Sequence, residues 1–268
     1  MYCDFSRVAF HVFGLPIHWY ALAYIIGLLA VLHLGKMYLK KTGSSIAPEK
    51  LDAFVNYAVV GIIVGGRLGH VLFYSFPYYC DHPMEILQIW CGGMSFFGGF
   101  IGVLLVIHLF CRKYHINLLE FTDLLSIGTP IGLFFGRLAN FINGELLGKT
   151  SNIAWCVVFP DGISRHPSQI YEALLEGVVL FVLMIVSFYR GCYKFPGKLS
   201  GIFCSAYGTL RFSAEFFREP DSDFSWLLLH KTAINLNQYI SVSIFILGCV
   251  IMGMQKKHMS SRIYATES

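Results

Sequence analysis

Charged residues are scarce in this sequence. Only 13% of its 268 residues are Asp, Glu, Lys or Arg, whereas 56% are hydrophobic. Soluble domains carry about 25% charged and about 45–50% apolar residues, so this chain has too few charges to coat a soluble surface of its size. The composition excludes an ordinary soluble domain and predicts a polytopic membrane protein.

Metal-binding and disulfide patterns are also lacking. The eight cysteines form no CxxC pair and no Cys/His spacing typical of a metal site, and several stand in apolar runs, where free cysteine behaves as a small hydrophobic residue. The formal net charge of +4 is not gathered into a basic cluster with stacking aromatics, so nucleic acid is not an expected partner. The first apolar run lacks the basic n-region and A-x-A site of a signal peptide, so we expect no cleaved leader.

Long apolar stretches are what the chain has instead. A helix of about 20 residues crosses the ~30 Å hydrocarbon core of a bilayer. Seven stretches approach or exceed that length: 19–38, 54–75, 94–111, 121–140, 171–189, 199–216 and 236–254. We therefore predict an all-α fold with about seven transmembrane helices, forming a single membrane-embedded domain over residues 1–268.

Lysine and arginine residues are distributed unevenly between the two sides of this arrangement. Counted with the span edges, the loops after spans one, three and five and the C-terminal tail carry twelve, and the other side carries five. Because cytoplasmic loops hold the excess of basic residues, the N-terminus is predicted to lie outside and the C-terminus in the cytoplasm.

Three arginines lie inside predicted spans. Arg67, Arg137 and Arg211 fall in spans two, four and six, each in the outward half, and Tyr20 and the SFFGG stretch (95–99) begin spans one and three at the same face. An arginine within a span costs roughly 2.5–3.5 kcal/mol and faces a protein interior or a cavity. One such arginine is equally compatible with a carboxylate partner, but three at one depth favour a phospholipid headgroup site, because the guanidinium fork matches phosphate oxygens.

Local spacing strengthens this interpretation in GRLANFINGELLGK (136–149). Arg137 and Asn140 stand three residues apart, so they share one helix face. Further polar or small residues follow where the helix is predicted to end: Asn143, Glu145 and Gly148.

A second polar stripe runs through LRFSAEFFREPD. Its residues Arg211, Glu215 and Arg218 recur at i, i+4 and i+7, and Arg211 with Glu215 is as compatible with a structural ion pair as with a binding role. Glu172 and Glu176 also share a face at the start of span five. The glycines at 61, 65 and 69 form a small-xxx-small pattern typical of helix packing.

Several of these stretches resemble, in order, the conserved blocks of one known family. They are IHWYALAY (17–24), GGRLGHVLFY (65–74), GGMSFFGGFIG (92–102), GRLANFINGELLG (136–148), RHPSQIYEALLEG (165–177) and YGTLRFSAEFFREPD (207–221). Together they are similar to prolipoprotein diacylglyceryl transferase over nearly the whole chain.

The resemblance implies an activity and partners. Members of that family move a diacylglyceryl group from phosphatidylglycerol to the lipobox cysteine thiol in the signal peptide of a prolipoprotein, leaving a thioether and glycerol phosphate. It implies a multi-pass protein of the bacterial inner membrane, among membrane lipids, with its active site facing the outer leaflet. No nucleotide, metal or redox cofactor is implied.

The resemblance also suggests roles for residues. Arg137 is expected to be the main phosphatidylglycerol contact, and Tyr20, Arg211 and Glu215 match positions important in relatives. With Arg137, the expected lipid-binding set is Asn140, Asn143, Glu145, Gly148 and Arg67. Arg137 and Arg211 are expected to stabilise the leaving phosphate, and Glu145 and Glu215 to orient these arginines.

One position departs from the family pattern. Relatives commonly carry histidine in SF-H-GG, where this chain has Phe97. A base at that position is therefore missing. Either another group takes the thiol proton, with Tyr20, Glu215 or His166 as candidates, or the arginines stabilise the cysteine thiolate directly, which is the alternative that we favour. The alternative function is an anionic-lipid transporter or flippase, which would be expected to show internal repeats or broken helices at the membrane midplane.

Overall fold

The computed structural model describes residues 6–219 and 236–266, and helices dominate them. The α-helices are α1 Trp19–Thr42, α2 Pro48–Phe73, α3 Phe76–Asp81, α4 Phe96–Tyr114, α5 Leu118–Asn143, α6 Ser168–Glu172, α7 Leu180–Tyr189, α8 Lys198–Ala214 and α9 Leu236–Thr266. A π-helix, Ala173–Val179, joins α6 to α7. Short 3-10 helices lie at Pro83–Leu87, Ile89–Cys91, Cys192–Lys194 and Glu215–Phe217. Two antiparallel hairpins pair β1 Val8–Val12 with β2 Leu15–His18, and β3 Val157–Val158 with β4 Ser164–Arg165.

Six helical stretches of the described residues are long and apolar enough to cross a membrane. They are Trp19–Thr42, Pro48–Phe73, Phe96–Tyr114, Leu118–Asn143, Ser168–Tyr189 and Leu236–Met254. Each coincides with a predicted span, which confirms a helical, multi-pass membrane protein. The predicted span at 199–216 coincides with α8, whose 17 residues fall short of the usual length, so the count of seven stays a prediction.

The ends of the helices differ from those of the predicted spans. Some helices extend beyond their apolar windows into flanking polar residues, and others begin or end inside them, as α4 does at Phe96. Helix α2 begins at Pro48, six residues before its predicted span, and proline is favoured in a first helical turn. Helix α5 continues past Asn140 and ends at Asn143. The polar stretch at 136–149 therefore starts inside α5 and continues into the loop that follows it.

The chain divides into two compact units, one formed by residues 38–122 and the other by residues 1–37 with 123–268. In the unit 38–122, α2 packs against α4 through small residues. A Cβ at Gly69 would lie 2.6 Å from the Cα of Gly98, and one at Gly61 would lie 2.7 Å from a methyl group of Val106. The glycine pattern at 61, 65 and 69 is thus confirmed as a helix-packing surface.

In the other unit, close glycine contacts and one buried carboxylate join the helices. A Cβ at Gly27 of α1 would lie 2.9 Å from the Cα of Gly132 in α5. Asp123, fully buried in α5, accepts hydrogen bonds from the backbone N–H of Gly197 (2.7 Å) and from the N–H and hydroxyl of Ser200 (2.6 and 2.8 Å). Asp123 therefore caps the start of α8 from a different helix.

Candidate active site

Three arginines and three glutamates of the unit 1–37 with 123–268 form one buried cluster of ion pairs. Its members are Arg137, Arg211, Arg218, Glu172, Glu176 and Glu215. The three carboxylates are at most 1% exposed, and a buried charge is tolerated only with close partners. Because the charges are equal in number, the cluster is formally neutral.

Glu172 and Glu176 bridge the two predicted arginines. Arg137 lies with Nη1 3.0 Å from Glu172 and with Nη2 and Nε 3.0 and 3.2 Å from Glu176. Arg211 uses Nη1 to contact both glutamates, at 3.3 Å for Glu176. Two carboxylates on one helical segment therefore hold guanidinium groups from α5 and α8 together, which confirms that Arg137 and Arg211 meet.

The π-helix places these two carboxylates. Glu172 ends α6 and Glu176 lies within the π-helix, where four residues make slightly less than one turn, so the two side chains share one face. The segment approaches α5 closely at Gly177, where a Cβ would lie 2.6 Å from the Cβ of Phe134. A glycine is needed there, and it brings the carboxylates within reach of Arg137.

Glu215 pairs with the neighbouring arginine, as predicted. Its Oε2 lies 3.0 Å from Nη2 of Arg211, and its Oε1 accepts a hydrogen bond from the amide of Asn237 at 3.1 Å. Arg218 makes a longer contact, with Nη1 3.8 Å from Glu172. The spacing of LRFSAEFFREPD therefore correctly predicted a shared polar cluster.

The predicted role of Glu145 as an arginine partner is wrong. Its carboxylate accepts a hydrogen bond from the Tyr20 hydroxyl at 2.8 Å, and the amide of Asn143 lies 3.5 Å from its other oxygen. The physical reason is the loop that follows α5, which turns Glu145 toward α1. Within the ion-pair cluster, the carboxylates that the sequence left without a site role are Glu172 and Glu176. Two acidic residues within an apolar span were the signal for them.

Gly148 lies where two backbone segments nearly touch. A Cβ there would collide with the carbonyl of His166, and Gly148 forms a β-bridge with Arg218. Arg165 donates to the Gly148 carbonyl at 3.2 Å and pairs with Asp161 at 2.9 Å. A hydrogen bond from the backbone N–H of Ile163 is the main cause that lowers the pKa of Asp161 below its usual value, and the Arg165 side chain lowers it further. The absence of a side chain at Gly148 therefore lets the loop after α5 pack closely against His166 and Arg218.

Asn140 and Arg67 have different surroundings. Asn140 is buried, and its carbonyl accepts the N–H of Glu145 at 3.0 Å. Arg67 belongs to the unit 38–122, where its guanidinium donates to four backbone carbonyls, those of residues 85, 86, 92 and 93, at 2.6–3.2 Å. These bonds hold the loop after α3 onto α2. A phosphatidylglycerol contact by Arg67 stays a prediction.

Comparison with known proteins identifies the family of the chain. The sequence pattern of the prolipoprotein diacylglyceryl transferase family matches residues 7–254. The chain belongs to this family.

Similar members of the prolipoprotein diacylglyceryl transferase family come from several bacteria. The chain is 44% identical to the phosphatidylglycerol–prolipoprotein diacylglyceryl transferases of Rickettsia akari, over 93% of this chain and 96% of the relative, and of Azospirillum brasilense, over 93% and 94%. It is 41% identical to the enzyme of that name from Nitrosospira multiformis, over 91% of this chain and 84% of the relative. The similarity therefore covers both structural units.

Proposed function

We propose that the protein transfers the diacylglyceryl group of phosphatidylglycerol to the lipobox cysteine thiol of a prolipoprotein, releasing glycerol phosphate. Its relatives bear the name of this activity. The observation that carries the proposal is the state of Arg137. Its side chain is 15% exposed, against 9% for Arg211 and 4% for Arg218, so it is the most accessible arginine side chain of the cluster.

Arg137 has hydrogen-bond donors to spare for a ligand. A guanidinium carries five N–H groups. Hydrogen bonds to Glu176 engage one N–H each of Nε and Nη2, and Nη1 lies 3.0 Å from Glu172 in an ion pair. At least one N–H on each terminal nitrogen remains. These two form a fork that matches two phosphate oxygens.

The reaction needs this fork at the leaving group. The thiol sulfur attacks a glycerol carbon of the lipid, the carbon–oxygen bond to phosphate breaks, and negative charge grows on the departing oxygen. Preorganised guanidinium donors stabilise that charge more in the transition state than in the bound lipid. In this proposal Arg137 and Arg211 stabilise the phosphate, and Glu172, Glu176 and Glu215 orient them.

The remaining predicted residues complete the lipid site. We propose that four residues shape the pocket around the headgroup: Tyr20, Asn140, Asn143 and Gly148. In this proposal Glu145 accepts the hydrogen bond of the Tyr20 hydroxyl and holds that side chain in place. Arg67 stays in the proposed lipid-binding set as a residue of the unit 38–122.

The membrane arrangement is part of the proposal. We infer seven spans in one membrane-embedded domain, with α8 as the seventh, an outer N-terminus and a cytoplasmic C-terminus in the bacterial inner membrane. The active site then faces the outer leaflet. The loop-charge asymmetry supports this orientation, and a C-terminal reporter that is active only outside the cytoplasm would contradict it.

The decisive experiment uses the purified full-length protein, phosphatidylglycerol vesicles and a lipobox peptide. We expect a peptide whose mass has increased by one diacylglyceryl group, together with glycerol phosphate, and no product when the peptide cysteine is replaced by serine. Movement of labelled lipid between leaflets without any thioether would instead support the transporter alternative.

A further inference from the structure

Glu145 differs from the other carboxylates that surround the candidate site. Glu172, Glu176 and Glu215 each contact at least one guanidinium group. Glu145 is held by the Tyr20 hydroxyl at 2.8 Å and by the Asn143 amide, both of which are neutral. Glu145 therefore differs in its geometry: it is not engaged by a guanidinium group among the described residues, and one of its partners is a hydroxyl group that can pass a proton to it.

The backbone fixes Glu145 on both sides. Its N–H donates to the Asn140 carbonyl at 3.0 Å, and its own carbonyl accepts from the Gln169 amide at 2.6 Å. The residues next to it, Gly144 and Leu146, have φ angles of +67° and +55°. A leucine in this left-handed region costs on the order of 1–3 kcal/mol, and such strain persists where surrounding contacts over-determine the conformation. The fold thus holds Glu145 against Tyr20 at a conformational cost.

The charge balance of the cluster bears on the thiol. Direct stabilisation of a thiolate by arginines needs an excess of positive charge, but three guanidinium groups are here matched by three carboxylates. A bound phosphate adds a further negative charge. The thiol proton therefore needs an acceptor, because a thiol with a pKa of ~8.5 is mostly protonated at neutral pH.

We propose that the Tyr20–Glu145 pair is this acceptor, an inference that rests on the transferase function proposed above. The Tyr20 hydroxyl takes the proton of the cysteine thiol as it passes its own proton to the Glu145 carboxylate. The sulfur forms its bond to the glycerol carbon, and the electron pair of the broken carbon–oxygen bond leaves with the phosphate. Glu145 then releases the proton that it took from Tyr20 to the departing glycerol phosphate, while the thiol proton stays on the Tyr20 hydroxyl, so the product gains one proton and the pair is restored.

A peptide nucleophile that is already ionised distinguishes a proton-accepting role of Tyr20 and Glu145 from a purely structural role. A selenol is ionised at neutral pH, so a lipobox peptide with selenocysteine in place of cysteine bypasses the acceptor. With the cysteine peptide at pH 7, Glu145→Gln should lower the rate of thioether formation by about 10²–10³, the usual range for general-base assistance. With the selenocysteine peptide, the same variant should stay within about threefold of the unsubstituted protein, because no proton has to be removed.

Tyr20→Phe should show the same pattern, because it cuts the same relay, and it serves as a second variant if Glu145→Gln folds poorly. The matched control is Glu215→Gln, a carboxylate that holds Arg211, and it should lose equal activity with both peptides. Equal losses for Glu145→Gln with cysteine and selenocysteine would overturn the inference. If the unsubstituted protein made no thioether, the transferase proposal itself would fail; an active protein unaffected by Glu145→Gln would refute only the proton acceptor.

Discussion

Replacement of Arg137 by lysine tests whether a fork, rather than a charge, binds the phosphate. Lysine keeps the positive charge but has three N–H donors in place of five. If two of them satisfy Glu172 and Glu176, which contact Arg137 at 3.0 Å, one donor is left for the phosphate. The variant thus loses one hydrogen bond to a charged group.

The structure gives the size of this loss. A hydrogen bond to a charged group is worth about 1.5–3 kcal/mol, which corresponds to about a 10- to 150-fold lower rate if the bond forms mainly in the transition state. Arg137→Ala should be more damaging, because it removes the charge and also leaves two buried carboxylates without this partner. We expect it to lose at least about 10³ in kcat/KM.

The assay is thioether formation at several concentrations of phosphatidylglycerol, together with thermal unfolding of each variant in detergent. Arg190→Lys is the matched control, because Arg190 follows the end of α7 and is exposed, and it should be neutral. A lysine variant within threefold of the original rate would refute the fork, and an active Arg137→Ala protein would show that this arginine only supports the fold.

Three further substitutions test other parts of the site. Glu215→Gln should reduce activity less than Glu215→Ala, because the amide oxygen still accepts from Arg211; equal losses would implicate the charge itself. Asp123→Ala should lower the free energy of unfolding by about 1–3 kcal/mol because it leaves buried donors at the start of α8 without an acceptor, whereas Ser200→Ala, which removes only the hydroxyl bond, should cost less when both are unfolded in detergent. Phe97→His should change the rate of thioether formation by less than about tenfold between pH 6 and 9, because another group already accepts the proton; a hundredfold gain would show that the missing histidine matters.

The sequence predicted which helices and side chains form this site better than it predicted which side chains contact each other. Apolar stretches located the membrane helices, and the spacing of Arg211 and Glu215 correctly indicated an ion pair. These features are local, since a helix repeats its faces every three to four residues. The same regularity predicted that the glycines at 61, 65 and 69 form a helix-packing surface.

Contacts between distant segments could not be read in this way. Spacing showed that Glu172 and Glu176 share a face, but their partners on α5 and α8 depend on how three helices pack. Glu145 lies in the loop after α5 between Gly144 and Leu146, both of which have a left-handed backbone; for leucine this conformation is rare, and composition does not signal it. The expected Glu145–arginine contact was wrong for this reason.

The π-helix between α6 and α7 also bears on how this chain can change in evolution. The sequence of this segment is an ordinary apolar run, and many substitutions would preserve its hydrophobic faces. Its length is constrained much more tightly. Loss of one residue between Glu172 and Glu176 would leave the two carboxylates neighbours on one helix, but it would rotate the second by about a quarter of a turn relative to Arg137 and Arg211. Homologous chains can therefore be expected to vary in composition here while keeping the four-residue interval, with insertions and deletions confined to the loops.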